Sequence, residues 1–503
     1  MQTIELKFSP LNAVNIRFRF IVTSYLVALL SLPVEAAKLK GQAVTYADFS
    51  FVNSVAASMT HVYFATTEGI IRYNKLQDRW EDPLTGSEGI DNQNVTRIWV
   101  DVFDKDLYAE TSDGLYEYDS LFDKWFTAAE LPILDNNSVH MSPPQIMHPP
   151  IGFTYGADGL LVDRYNRQFY INDILDDQSG VLWIGTWGYG PAKAGSTSKQ
   201  IDLLPYGLLQ NQVSALFKHD SLLWLGGSVH NGYRTGISVF DPKNNKFFHI
   251  ESGLNRDFPA VDINCLNGDD TCIYVGTSAG LFCLNKEKRI ITRSYSRRSG
   301  LSDDNVLSVK LAGASIFVGT ASGLNVILAT KDSVGVVRPS QFFGELIYDL
   351  ELVDSSLWIA SSSGAYRLKL PSGKLQKFQD PHAVLFSQVY SIERYGNSLW
   401  FASDDGLIRL SLKSGETEPF RLTNRKIAPR ALAVNDTIAA VASDEGMTVI
   451  FHKNKKQLIR EFTTDDGLAS NTVYSLWLDG NYIWIGTDKG LTRFLWNNPE
   501  RVD

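Results

Sequence analysis

The sequence predicts an all-β protein assembled from repeated small sheets, and three observations predict it. First, one phrase recurs along the chain: an apolar strand, a tight turn ending in Gly, and the start of a second strand. Ile483-Trp484-Ile485-Gly486-Thr487 leading to Gly490-Leu491 is the clearest copy, with others at Ile273 to Leu281, Ile316 to Leu324, Leu357 to Gly364 and Leu399 to Leu407. Second, from Gly236 onward the turn glycines fall at 280, 323, 364, 406, 446 and 490, in steps of 44, 43, 41, 42, 40 and 44 residues, the length of four short strands per repeat. Third, Ile483, Trp484 and Ile485 are consecutive, so both faces of the strand need cover. Sheets of that kind stacked radially make a β-propeller. Short runs of Ile, Val, Leu, Trp and Phe broken by Gly, Asp and Asn fit strands and hairpins, not the spacing of a helical solenoid.

Length and composition agree with this. At 503 residues the chain can bury one very large or two ordinary domains. Eleven Trp and 21 Tyr suit cores in which flat side chains pack on pleated surfaces. The formal charge of −9 excludes a surface made for phosphate backbones, so no nucleic-acid partner is expected.

The N-terminus reads as an export signal. Lys7, Arg17 and Arg19 precede the apolar stretch Phe20 to Leu32, and Val34-Glu35-Ala36 places small side chains where a signal peptidase reads. Cleavage after Ala36 is expected, giving a signal peptide at 1–36 and propeller domain(s) over 37–503. An uncleaved anchor is the rival, but 13 apolar residues are short for a bilayer that needs about 20 in helical form. Beyond residue 40 no long apolar run follows, so no further membrane span is expected and the mature chain is placed in the periplasm or outside the cell.

Weaker copies of the phrase lie at Val62 to Gly69, Leu107 to Leu115 and Ile438 to Gly446, while Leu182 to Thr186 and Leu223 to Gly226 carry altered turns. A second phrase precedes several units: Gly89-Ile90 with Asn94, Gly207-Leu208 with Asn211, Gly300-Leu301 with Asn305, and Gly467-Leu468 with Asn471. It reads as the corner joining an outer strand to the next innermost one, where an Asn side chain satisfies turn backbone.

The two phrases together resemble the repeats called two-component regulator propellers, over roughly residues 45 to 496. The resemblance implies exported sensor domains of hybrid sensor kinases, or related free-standing envelope and secretion-accessory proteins. Only Asn497 to Asp503 follow Trp496, too few for a kinase or DNA-binding segment, so signalling would need a separate partner.

About ten four-stranded blades are counted, as one large ring or two abutting rings. The 76-residue step from Gly114 to Gly190 has room for an irregular blade. The last unit stops after Leu495, and the apolar stretch Val44 to Phe51 has no unit of its own, so it is expected to supply the missing outer strand and remove a free edge. Residues 131–151 contain five prolines and no strand period, and read as an irregular exposed loop. His140, Met141, Met147 and His148 within it have no fixing geometry, so no metal is expected.

Two irregular turns supply the candidate ligand-binding residues: Trp187 and Tyr189 in one, His230, Tyr233 and Arg234 in the other. Aromatic and polar groups of this sort stack on sugars or grip peptides. Cys265 and Cys272 flank a turn-like segment, so either a disulfide between them or buried free thiols is expected. No catalytic set is visible: there is no Gly-x-Ser-x-Gly elbow, phosphate loop or HExxH pair, and the paired acids such as Asp269-Asp270 and Asp465-Asp466 sit at turns. The expectation is a non-catalytic, cofactor-free binder of a small molecule, glycan or protein; a polysaccharide lyase or hydrolase on the same fold is the alternative.

Overall fold

The computed structural model describes residues 43–497, apart from 87–88, 91–92, 137, 142–146, 229–233, 254–257, 329–332, 337–343, 371, 383, 386–387, 423–426 and 454–457. The expected signal peptide lies outside these residues. Strands of Ile, Val, Leu and aromatic side chains form ten antiparallel sheets, nine of them four-stranded, with no α-helix among the described residues.

Contacts between sheets divide the ten into seven and three. Seven sheets, over 215–251, 263–295, 306–336, 347–377, 389–420, 427–462 and 473–495, each pack their first strand against the first strand of the next. Val473–Asp479 in turn packs on Ala215–His219, which closes the ring. The other three sheets, over 52–80, 97–128 and 139–203, form an arc whose middle member is the sheet 52–80.

The fourth strand of the last ring sheet comes from the other end of the chain, as the sequence implies. Ala43–Tyr46 runs antiparallel to Leu491–Leu495, with Val44 opposite Arg493 and Tyr46 opposite Leu491. Of the Val44 to Phe51 stretch, only the part up to Tyr46 joins that sheet; Phe51 instead bridges Trp187 in the arc. The described residues therefore begin in the ring at Ala43, leave for the arc after Tyr46 and return at Ala215.

The recurrent phrase is a device for close approach. In Ile-Gly-Thr copies the Gly lies where the next sheet's innermost strand crosses: a Cβ on Gly486 would stand 2.4 Å from the Val213 carbonyl oxygen. The hydroxyl that follows locks the turn, as Thr277, Thr320, Ser443 and Thr487 donate to the carbonyls of Gly280, Gly323, Gly446 and Gly490. The second phrase works as a corner. Gly300 and Gly467 end short 3-10 turns in the left-handed region, and Leu301 and Leu468 then bury. Its asparagines satisfy neighbours, Asn211 accepting from the Asp48 N–H and Asn471 from the Thr464 N–H.

Most of one irregular seven-stranded sheet, over 139–203, falls in the 76-residue step. Within 131–151 most described residues are irregular, but Val139–His140 pairs with Leu175 and Asp176. Asn136 anchors the same segment by donating to the carbonyls of Ala57 and Val100.

The cysteines do not pair as a hairpin bridge. Cys265 stands opposite Gly276, not Cys272, because its strand runs on to Gly268 before turning while Cys272 begins the returning strand directly after the turn. None of the three cysteines is in a disulfide, and Cys272 hydrogen-bonds Cys283 of the neighbouring strand.

Aromatic packing joins arc to ring. Tyr46 lies 4.7 Å from Phe240, Phe240 4.3 Å from Phe247, Phe247 5.4 Å from Tyr206, and Tyr206 4.7 Å from Trp80 of the arc. Phe64, Trp183 and Trp484 share this cluster. Each such ring buried is worth about 1.5–3 kcal/mol.

Candidate ligand-binding sites

Two concave sites follow from this architecture. One is the axial channel of the ring, a cavity of about 390 Å³. All seven first strands line it, and at equivalent positions they supply a collar of Leu216, Leu266, Val309, Leu350, Ile392, Leu432 and Leu476. One residue further on, the set is Phe217, Asn267, Lys310, Glu351, Glu393, Ala433 and Trp477. Lys310 Nζ lies 2.5 Å from Glu351 Oε2. Glu393 is half-buried in the channel wall, and loss of solvent, then the neighbouring Glu351 charge, pushes its carboxyl up to about 8.

The other site lies where the arc meets the first ring sheet, a cavity of about 550 Å³. Its wall begins with the strand Leu161–Asp163 and the tight turn that returns Arg167 onto Asp163 at 2.7 Å. Arg167 also reaches Glu251, at the end of the ring strand Lys246–Glu251, at 2.8 Å. Arg234, 9% exposed, holds the other oxygen of Glu251 at 3.0 and 2.7 Å through its Nε and Nη2. Its guanidinium lies 4.3 Å from the ring centroid of Tyr189, whose hydroxyl accepts from Arg167 at 3.0 Å. Paired buried charges of this kind tolerate little disturbance, since removing one partner strands the other.

These surroundings set the protonation states. Burial pushes the Tyr189 phenol up to about 12. Burial also holds His249 down to about 3, reinforced by the Arg234 charge, so the imidazole is neutral. Asp163 is raised by burial, but hydrogen bonds from the Arg167 backbone and side chain outweigh this and leave it below the usual carboxylate range.

Of the residues expected from sequence, Tyr189 and Arg234 thus meet across the junction. Trp187 does not join them: it packs between Phe51 at 5.1 Å and Tyr170 at 5.9 Å. His230 and Tyr233 lie outside the described residues. Sequence reasoning missed Asp163, Arg167, His249 and Glu251: two strand ends, a turn and a mid-strand position that carry no motif. Near the Pro-rich segment, His140 bonds Asp173 at 2.9 Å while Met147 is buried among Ile174 and Leu182. Among the described residues no group of three or more His, Cys, Asp or Glu side chains is placed to hold a metal, and no helix is long and apolar enough to cross a membrane.

No family model matches the chain, and no curated protein matches it. Solved structures do resemble it. The extracellular domain of BT4673 from B. thetaiotaomicron, a protein assigned to a hybrid two component system, is 13% identical over 89% of this chain and 70% of that one, with a TM-score of 0.47. PorZ, a surface component of the type-IX secretion system of Porphyromonas gingivalis, is 16% identical over 90% of this chain and 69% of its own, at 0.48. BamB from Moraxella catarrhalis is 14% identical over 71% and 97%, at 0.39.

Proposed function

We propose that this is an exported, non-catalytic β-propeller that recognises a small molecule, glycan or protein partner, as a sensor or an envelope interaction scaffold. The observation that carries the reading is the meeting of Tyr189 and Arg234: Tyr189 lines an open cavity of about 550 Å³, and Arg234 packs on its ring while holding Glu251 in the same wall. Aromatic and arginine side chains held rigidly by a paired network are the usual anchors of recognition. Export rests on the charged, apolar and small-residue order of residues 1–36.

The test is a pull-down from envelope extract alongside a glycan and peptide binding screen, each run with the native chain and with Arg234→Ala. A saturable ligand or a stable complex that weakens in the variant supports the reading. Absence of either from both assays sinks it.

One observation favours the second reading, a polysaccharide-active enzyme. Glu393 holds a proton near neutrality beside Asp349 and Glu351 in the channel, as a general acid must. Against it, Glu351 is tied to Lys310, and among the described residues the channel lining contains no His, Tyr or Arg. Turnover of a polysaccharide that is lost in Glu393→Gln would establish it.

A further inference from the structure

Four arginines gather around the junction cavity, and two have spent their charge on protein. Arg167 is paired with Asp163 and Glu251, and Arg234 with Glu251. Arg164, from the arc, and Arg289, from the ring, both line the cavity and have no carboxylate partner among the described residues. Their guanidiniums lie over aromatic rings instead, Arg164 at 4.7 Å from the Tyr165 centroid and Arg289 at 5.0 Å from that of Phe248. Stacking of this sort steers a guanidinium while leaving its donors free. The site is therefore locally cationic in a chain of net charge −9, and a low-dielectric cleft focuses that field on whatever enters.

A second observation points the same way. His249 lines the cavity from the ring side and is half-buried, and its Nδ1, shielded from solvent, has no hydrogen-bond partner among the described residues. A buried polar atom left without a partner is costly. The imidazole is fixed in place by stacking on Phe247, at 6.5 Å and 22°.

We infer that the junction cavity binds a small ligand bearing an oxyanion, a carboxylate, phosphate or sulfate group, which Arg164 and Arg289 clasp while His249 takes a second polar group of the same molecule. This rests on the proposed binding role and names the chemistry of its ligand. The pairing is geometrically economical, because guanidinium forks match the planar or tetrahedral oxygens of such groups in bidentate fashion. It also gives the network beneath a purpose: Asp163 and Glu251 neutralise Arg167 and Arg234, so the ligand meets two free cations and not four.

The experiment is calorimetric titration of the full chain with inorganic phosphate, sulfate and glucuronate, with glucose as the neutral control. Binding of one or more anions and not glucose is expected, and the arms identify which oxyanion is preferred. Affinity should fall as salt is raised. Replacing both exposed arginines, Arg164→Ala with Arg289→Ala, should weaken binding about a hundredfold, roughly tenfold for each charged hydrogen-bonding group lost. His249→Phe keeps the stacking and removes Nδ1; it should weaken binding while leaving the melting temperature of the free protein equal or higher, which a purely structural histidine would not do. Unchanged affinity in the double variant, or equal binding of glucose, overturns the inference. If no anion binds but the envelope pull-down captures a partner that Arg234→Ala releases, the oxyanion fails and the binding role stands.

Discussion

The guanidinium of Arg493, in the last ring strand, lies 2.8 Å from the carboxylate of Asp82 in the arc, across 411 positions of sequence. Tyr46 donates to the other oxygen of the same carboxylate at 3.0 Å. Three segments distant in the chain thus share one hydrogen-bonded node: the N-terminal strand, the arc and the closing sheet.

The N-terminal strand is expected to hold the ring shut. A chain beginning at Ala47 loses the burial of Val44 and Tyr46 and leaves Leu491–Leu495 as an open edge. At about 1.5–3 kcal/mol for each large side chain, plus the exposed edge, the loss is on the order of 5 kcal/mol. Denaturant unfolding of the shortened chain measures it; an unchanged midpoint would refute the closure.

Turn glycines of the repeat should not tolerate a methyl group. Gly446 has a φ of 112°, and a Cβ there would stand 2.2 Å from the Phe462 carbonyl oxygen. Gly446→Ala is therefore expected to cost about 2–4 kcal/mol, combining strain with displacement of backbone. Gly480, with a φ of 62° and open space around it, serves as the control, since Gly480→Ala should cost only about 1 kcal/mol. Equal effects at the two sites would remove the steric account.

His61 makes the contact between two arc sheets sensitive to pH. It sits 3.1 Å from Asp104 and 3.3 Å from Glu81. Hydrogen bonds to these carboxylates push it up to about 9 and help hold Glu81 down to about 2. A raised imidazole adds stability that is complete below its unfolded value of 6.5 and disappears as pH climbs through about 9. The Glu81 share is present above 4.5 and disappears as pH falls through about 2. With solvent reaching these groups, His61→Ala should cost about 1 kcal/mol at pH 6 and much less at pH 10. Urea melts at the two pH values would show it, and a loss that grows with pH would contradict the assignment.

Cys272 should be a sluggish nucleophile despite being half-buried. Burial, then its hydrogen bond with Cys283, pushes its thiol up to about 12, and only the thiolate reacts. Labelling by iodoacetamide at pH 8 is expected to be slow and to rise about tenfold per pH unit through pH 10. Cys265 and Cys283 are buried and should label only on unfolding. Rapid labelling of the folded chain at pH 8 would be incompatible with this environment.

The ring and its closure were readable because they are written in local chemistry. Gly at a strained turn, Thr after it, and apolar residues on consecutive strand positions each report a constraint within a few residues. The spare apolar stretch near Val44 was equally informative, since an unpaired hydrophobic strand needs a sheet. How ten sheets divide was not readable. Every copy of the phrase encodes contact with a next sheet, yet none encodes which sheet ends a ring, and the seven-plus-three partition emerges only from the packing of Val473–Asp479 on Ala215–His219. The cavity shows the same split. Tyr189 and Arg234 drew notice because their turns departed from the repeat, whereas Arg167 and His249 occupy unremarked positions at a turn and in a strand and acquire their roles through neighbours 84 and 15 residues away, Glu251 and Arg234.

Because Ala43–Tyr46 finds its partner only in Leu491–Leu495, the order of assembly differs from the order of synthesis. The arc is contiguous from Val52 to Leu203 and can fold while the rest is still emerging; the ring has to wait for its final strand, with its opening strand held in reserve throughout. Pairings that span nearly a whole polypeptide are slow to form, and the waiting strand is exposed to wrong partners meanwhile. A chaperone that shields extended apolar segments would thus act on this protein chiefly through the four residues of Ala43–Tyr46.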